Sequence, residues 1–143
     1  MTDIHRTALL PQTADTMYEL INDVASYPEF LDGIVAADVV EMSEHHMVGR
    51  MIVRKGGIER TLVTRNRLQR PHRIELTLEQ GPLKALHGIW TIKPLGENGC
   101  RVTLDLHFET DGRLAAFAFG QIFKHIADRM VDAFVRRAEQ LYG

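Results

Sequence analysis

The chain has 143 residues, a length typical of one domain, and its 45% hydrophobic and 25% charged residues match an ordinary globular protein. This composition excludes an intrinsically disordered chain and a disulfide-rich scaffold. The formal net charge of -2 says little about partners.

Cys100 is the only cysteine, so no internal disulfide can form, which predicts a reducing compartment. The N-terminal segment MTDIHRTALLPQT has no apolar signal region. The longest apolar run, LAAFAF at 114–119, is far shorter than the roughly 20 residues of a membrane span. We therefore expect one domain over residues 1–143, located in the cytoplasm and without a transmembrane segment.

The N-terminal part of the chain predicts one strand and two helices. The segment DIHRTALL (3–10) predicts a strand that ends at Pro11. Thr13 or Asp15 is a suitable N-cap for a helix through TMYELINDVA. Its apolar face consists of Met17, Leu20, Ile21 and Val24. The segment YPEFLD (27–32) predicts a second, short helix with proline in its first turn.

Between Ile34 and Thr110 the pattern changes to period 2, in six segments separated by turn signals such as KGG and GENG. Six strands with short connections predict an antiparallel meander. In three of them the apolar side chains alternate with charged or polar ones, so the sheet has one apolar face. That face consists of Ile74, Leu76, Leu78, Leu86, Gly88, Trp90, Ile92, Val102, Leu104, Leu106 and Phe108.

The C-terminal segment has helical spacing, with apolar residues every three to four positions or twice that. These residues are Phe119, Phe123, Ile126, Met130, Phe134 and Leu141. A helix from Leu114 to Leu141 would be about 42 Å long and would lie across the whole sheet. Gly120 interrupts it, either to let the helix bend or to allow close packing on the sheet. The elements together predict an α+β two-layer fold in the order β-α-α-β-β-β-β-β-β-α.

Four segments in this order resemble a known family: YPEFL (27–31), KGGIERTLVTRNRL (55–68), GPLKALHGIW (81–90) and MVDAFVRRAEQLYG (130–143). The chain is similar over essentially its whole length to the START-like, helix-grip superfamily, in the branch of the coenzyme Q-binding proteins and the ribosome association toxin. The resemblance implies a curved sheet of about seven strands, closed over an apolar cavity by the C-terminal helix. It also implies binding of a quinone or lipid in support of respiration, or a block of ribosomal subunit joining; related sequences are described as polyketide cyclases.

The inner face of the predicted sheet suggests a ligand site. Gly88 lies between Leu86 and Trp90, which leaves local space beside an indole N–H group. The parity of the preceding strands turns Thr64 and Asn66 inward, where a quinone carbonyl would be one partner. We predict a ligand site made by Phe30, Leu31, Thr64, Asn66, Leu86, Trp90, Phe119 and Phe123. The alternatives are that Trp90 only packs the core and that the polar pair bonds internally or to a buried water.

Residues 50–73 hold eight of the seventeen lysines and arginines against one acid, Glu59. The same strand parity turns Arg65 and Arg67 outward, where Arg50 and Arg54 of the preceding strand would join them. We predict a partner-binding face made by Arg50, Arg54, Arg65 and Arg67, which would attract ribosomal RNA phosphates on the large subunit or the surface of an anionic membrane. The alternative is a solvated face that protects the sheet with charge.

Catalytic chemistry is hard to find in this sequence. The seven histidines show no metal-ligand spacing, and the carboxylates of the three alternating strands fall on the polar face. We predict no catalytic residue, no metal site and no required cofactor. The leading hypothesis is a non-enzymatic carrier of ubiquinone or another lipid. The second is a translation inhibitor on the large ribosomal subunit, and the third is a cyclase.

Overall fold

The period-2 segments form six consecutive strands, and the N-terminal segment adds a seventh. The computed structural model describes residues 2–110 and 112–143. The strands are β1 (Thr2–Leu10), β2 (Ile34–Met42), β3 (His46–Lys55), β4 (Ile58–Gln69), β5 (Arg73–Gln80), β6 (Ala85–Leu95) and β7 (Gly99–Glu109). The helices are α1 (Ala14–Asn22), a 3-10 helix (Val24–Glu29) and α2 (Leu114–Tyr142).

All seven strands form one antiparallel sheet in the order β1-β7-β6-β5-β4-β3-β2. The meander predicted from the turn signals is therefore confirmed, and β1 pairs with β7 at the far edge. The predicted apolar face is also the inner face: Trp90 lies opposite Leu104, Leu86 lies opposite Phe108, and all four side chains are buried. These four side chains belong to the core between the sheet and α2.

The region between β1 and β2 contains two short helices. Thr13 is the N-cap of α1, and its hydroxyl accepts a hydrogen bond from the Thr16 amide at 3.2 Å. The predicted helix over 27–32 is instead a 3-10 helix that starts three residues earlier. It begins there because Ser26 bonds to Asp23 through both its amide and its hydroxyl. It ends where the amides of Phe30 and Leu31 both donate to the Tyr27 carbonyl.

Helix α2 has 29 residues and ends one residue beyond its predicted end. Its apolar stripe faces the sheet and is buried at Ala116, Phe119, Gly120, Phe123, Ile126, Ala127, Val131, Ala133, Phe134 and Ala138. Burial of this stripe closes the sheet on its inner side, so the helix-grip arrangement is confirmed. In the described part of the chain, no helix combines the length and the apolar composition needed to cross a bilayer.

Gly120 marks a close approach between α2 and the segment after β7. A Cβ atom at this position would lie 2.5 Å from Cγ2 of Thr110. Close packing therefore accounts for the glycine, which was one of the two explanations left open by the sequence.

We expect Gly120→Ala to lower the free energy of unfolding by about 1–3 kcal/mol, because the new methyl overpacks the contact with Thr110. In a Thr110→Ala background the clash is removed, and the same change is then expected to stabilise the protein by about 1 kcal/mol through helix propensity. Urea denaturation of the four proteins of this double-mutant cycle measures the coupling. Equal effects of Gly120→Ala in both backgrounds would contradict the assigned contact.

Candidate functional site

The sheet, α2 and the 3-10 helix enclose a small chamber of about 60 Å³. It is lined by Val24, Tyr27, Met51, Leu62, Thr64, Asn66, Leu76, Leu86, Trp90, Leu104, Leu106, Phe123, Ala127 and Met130. At about 24 cal/mol per Å³, an empty space of this size costs roughly 1.5 kcal/mol, which a folded domain tolerates. The volume suits a few water-sized groups and is too small for an isoprenoid chain unless side chains move.

The chamber is small because neighbouring leucines occupy the space beside Gly88. A Cβ atom on Gly88 would lie 2.6 Å from Cδ1 of Leu106 and 3.2 Å from Cδ1 of Leu76. The indole of Trp90 is 2% exposed and meets the ring of Phe134 edge-on, with 5.4 Å between centroids. Trp90 is therefore both a core residue and one wall of the chamber.

Two polar side chains face this apolar space. Thr64 and Asn66 are both buried and both line the chamber, as the parity of β4 indicates. The Asn66 amide nitrogen lies 4.0 Å from the sulfur of Met47, which is a weak contact. Among the described residues, Asn66 Oδ1 has no hydrogen-bond partner. An unpaired buried acceptor costs about 1–3 kcal/mol, so the chamber favours a small molecule that donates a hydrogen bond to this oxygen.

The structure brings five of the eight predicted ligand-site residues together at the chamber: Thr64, Asn66, Leu86, Trp90 and Phe123. The other three lie elsewhere. Phe30 and Leu31 line a separate groove beside α2. Phe119 is fully buried and stacks on Phe123, with 6.0 Å between ring centroids.

Sequence reasoning missed several lining residues that follow the same periodicities. Ala127 and Met130 lie four and seven positions after Phe123, on the same side of α2. Met51 and Leu62 are partners across β3 and β4 and share the inner face with Thr64. Extending the strand parity and the helical spacing by one step would have found all four.

The chamber contains little that would perform chemistry. None of its lining residues in the described ranges is a carboxylate, an imidazole or an amine. Its titratable group, the Tyr27 hydroxyl, donates to the Ile21 carbonyl, and burial raises its pKa well above the usual range. The other polar groups of the described lining are the Thr64 hydroxyl, the Asn66 amide and the Trp90 indole N–H.

The outer face of the sheet, the face away from α2, carries the four predicted partner-binding arginines. Arg50 forms a two-point ion pair with Asp38, and Arg54 bonds to Glu59 at 2.6 Å. Arg65 forms a two-point pair with Glu79 at 3.1 and 3.2 Å, and Arg67 lies 4.0 Å from Glu75. Most of the carboxylates beside these arginines come from strands β2 and β5. They are Asp38, Glu41, Glu75 and Glu79.

The pairing on the outer face changes the charge balance of that surface. Residues 50–73 are rich in cations along the chain, but β2 and β5 place acids beside them in space. The Arg65 guanidinium, bonded to Glu79, holds the pKa of that carboxyl below its usual value, so Glu79 stays ionised near neutral pH. The described residues contain no group of three or more His, Cys, Asp or Glu side chains arranged to hold a metal ion.

Comparison with known proteins places this geometry in context. The family described as polyketide cyclase/dehydrase and lipid transport matches residues 10–135. The ribosome association toxin RatA of Pseudomonas aeruginosa is 46% identical over 142 residues, covering 99% of each chain. The persistence and stress-resistance toxin PasT of Escherichia coli O6:H1 is 42% identical over 143 residues, covering all of this chain and 90% of its own.

A solved structure shows the same fold. The Zhui aromatase/cyclase from Streptomyces sp. R1128 superimposes with a TM-score of 0.82 at 20% identity, over 97% of this chain and 94% of its own. At this level of identity the match concerns the fold alone, and it agrees with a curved sheet closed by a C-terminal helix.

Proposed function

Because the chain belongs to the polyketide cyclase/dehydrase and lipid transport family, and within it to the ribosome association toxins, we propose that it binds the large ribosomal subunit and blocks subunit joining. The observation that carries this proposal is the 46% identity along 99% of both chains with a toxin of that name.

The lining of the chamber supports a binding role over an enzymatic one. A cyclase would need an acid or base facing its substrate. Among the described chamber residues the titratable side chain is Tyr27, and its hydroxyl is held by a backbone carbonyl. Turnover of a polyketide substrate by the purified protein would overturn this part of the proposal.

Binding of a hydrophobic small molecule is a second candidate function, favoured by the unpaired Oδ1 of Asn66 in an otherwise apolar chamber. A ubiquinone-like molecule in its reduced form, whose hydroxyl groups can donate to this oxygen, or another lipid with a donor group would have to displace side chains to enter. Met51 and Met130, both partly buried, line the chamber and are flexible enough to repack. Burial of about 400 Å² of ligand would return roughly 10 kcal/mol, and association costs of about 4 kcal/mol or more leave binding in the range of tens of micromolar or weaker.

The ribosomal proposal is tested with purified subunits. We expect the protein to sediment with large subunits in a sucrose gradient and to reduce the 70S peak when small and large subunits are mixed in high magnesium. The ribosome association toxin RatA of Pseudomonas aeruginosa serves as a positive control. Full 70S formation with the protein left at the top of the gradient would contradict the proposal.

Lipid analysis of the same preparation tests the second candidate. Native mass spectrometry is expected to show a bound lipid or quinone that is lost in an Asn66→Leu variant. Repeated preparations without co-purified lipid, together with no response to added ubiquinone, would exclude the carrier role.

A further inference from the structure

A second concave surface lies beside α2, outside the chamber. We call it the α2 groove; it has a volume of about 80 Å³. It is lined by Phe30, Leu31, Asp32, His125, Ile126, Arg129, Ala133 and Arg136. Its polar rim comes mainly from the helix, and its floor from the apolar side chains.

The cations of the groove follow from the spacing of α2. His125, Arg129 and Arg136 are separated by four and seven residues, so they form one stripe along the helix. All three are exposed. Arg129 Nη1 donates to His125 Nδ1 at 2.8 Å, which leaves the His125 Nε2–H as an outward donor.

The acidic residues near the groove do not form ion pairs with Arg129 or Arg136 in the described part of the chain. Asp32 lies in the groove but is paired with Lys55 Nζ, which keeps the pKa of the carboxyl below its usual value. Asp132 is exposed and lies three positions after Arg129 and four before Arg136, so it shares their side of the helix. Within the described ranges, no carboxylate oxygen lies within 4.0 Å of a guanidinium nitrogen of Arg129 or Arg136.

The groove therefore differs from the outer face of the sheet. An arginine that already forms a two-point pair, such as Arg50 or Arg65, has one edge of its guanidinium occupied and its charge offset by the carboxylate, so it attracts a phosphate less strongly. A guanidinium without a carboxylate partner keeps its full charge and presents its remaining N–H donors to phosphate oxygens. The apolar floor of the groove, with Leu31 and Ile126 buried, lowers the local dielectric and strengthens such a contact.

From these observations we propose that the α2 groove is the surface that binds the phosphodiester backbone of ribosomal RNA, with Arg129 and Arg136 as the phosphate ligands and His125 as an additional donor. This proposal rests on the proposed ribosomal function and goes beyond it by naming the surface and the chemistry. It assigns the contact with ribosomal RNA to arginines of α2 instead of the four arginines predicted on the outer face of the sheet.

The test compares three double variants that change the charge equally: Arg129→Glu with Arg136→Glu, Arg65→Glu with Arg67→Glu, and Lys93→Glu with Arg101→Glu. Each moves the net charge from -2 to about -6, since every exchange removes a positive and adds a negative charge. Lys93 and Arg101 are exposed, lie opposite each other on β6 and β7, and serve as a matched control. Circular dichroism verifies that all three variants fold.

Binding to purified large subunits is measured at several salt concentrations. We expect the Arg129/Arg136 variant to bind at least about tenfold more weakly and to show a salt slope lower by about 1.5, while the other two lose less than about threefold. An equal or larger loss in either of the other variants would overturn the proposal. A loss of binding to anionic phospholipid vesicles, with binding to subunits unchanged, would assign the groove to lipid headgroups and would overturn it as well.

The wild-type protein separates this proposal from the function on which it rests. If wild-type protein binds large subunits and the groove variant binds equally well, only the groove assignment is rejected. If wild-type protein does not bind large subunits at any salt concentration, both are rejected.

Discussion

Replacing Phe134 by alanine is expected to lower the free energy of unfolding by about 3–5 kcal/mol, which is a large share of the roughly 5–15 kcal/mol available to a domain. The ring is 1% exposed. It packs edge-on against Trp90, Tyr27 and Phe30, with centroids 5.4, 5.5 and 5.2 Å away. Phe134 thus joins α2 to the sheet and to the segment around the 3-10 helix, and its loss leaves a cavity at all three contacts.

Chemical denaturation with urea measures the effect of Phe134→Ala, read by tryptophan fluorescence because Trp90 lies at the contact. Phe117→Ala is the matched control on the same helix, since that ring is 56% exposed. The control is expected to change the free energy by less than about 0.5 kcal/mol. A loss below about 1 kcal/mol for Phe134→Ala would show that this contact is not central to the core.

Asn66→Asp is expected to destabilise the protein by about 3–5 kcal/mol at neutral pH, because it places a carboxylate in an apolar chamber without a cation to pair with it. Burial raises the pKa of a carboxyl in the folded state above its unfolded value of about 4. The folded protein then holds a proton that the unfolded chain releases, so stability falls as the pH rises above that value. The loss is expected to grow by about 1.4 kcal/mol per pH unit and to be small at about pH 4.

Asn66→Leu is the control for this prediction, since it removes the unpaired Oδ1 without adding a charge. We expect the free energy of unfolding of this variant to be unchanged or higher by up to about 2 kcal/mol. Denaturation curves of both variants between about pH 4 and pH 7 provide the measurement. If Asn66→Asp lowers the free energy of unfolding by less than about 1 kcal/mol at neutral pH, water reaches the chamber freely.

The sheet was predictable because alternation has a period of two and each strand buries one face. The positions of Trp90 and Leu104, and the inward direction of Thr64 and Asn66, follow from that parity alone. The predicted start of the second helix lies three residues after the observed start of the 3-10 helix. The observed start depends on side-chain and backbone hydrogen bonds from Ser26 to Asp23, which leave no periodic signal in the sequence.

Features that depend on neighbours distant in sequence were harder to predict. The space left by Gly88 is filled by leucines on β5 and β7, so the chamber is smaller than a glycine beside a tryptophan suggests. The cations of residues 50–73 meet acids that arrive on β2 and β5. The α2 groove joins His125 and the arginines of the helix to Phe30, nearly a hundred residues earlier, and local spacing does not reveal that contact.

The pairing of β1 with β7 has a consequence for how the chain folds during synthesis. Thr2 lies opposite Phe108 in the finished sheet, so β1 leaves the ribosome long before the strand with which it pairs. Closing such a long loop has a high entropic cost, and topologies dominated by distant contacts fold in milliseconds to seconds. Until β7 emerges, Ile4 and Leu10 of the nascent strand have no partner strand to cover them, and such exposed apolar side chains favour aggregation.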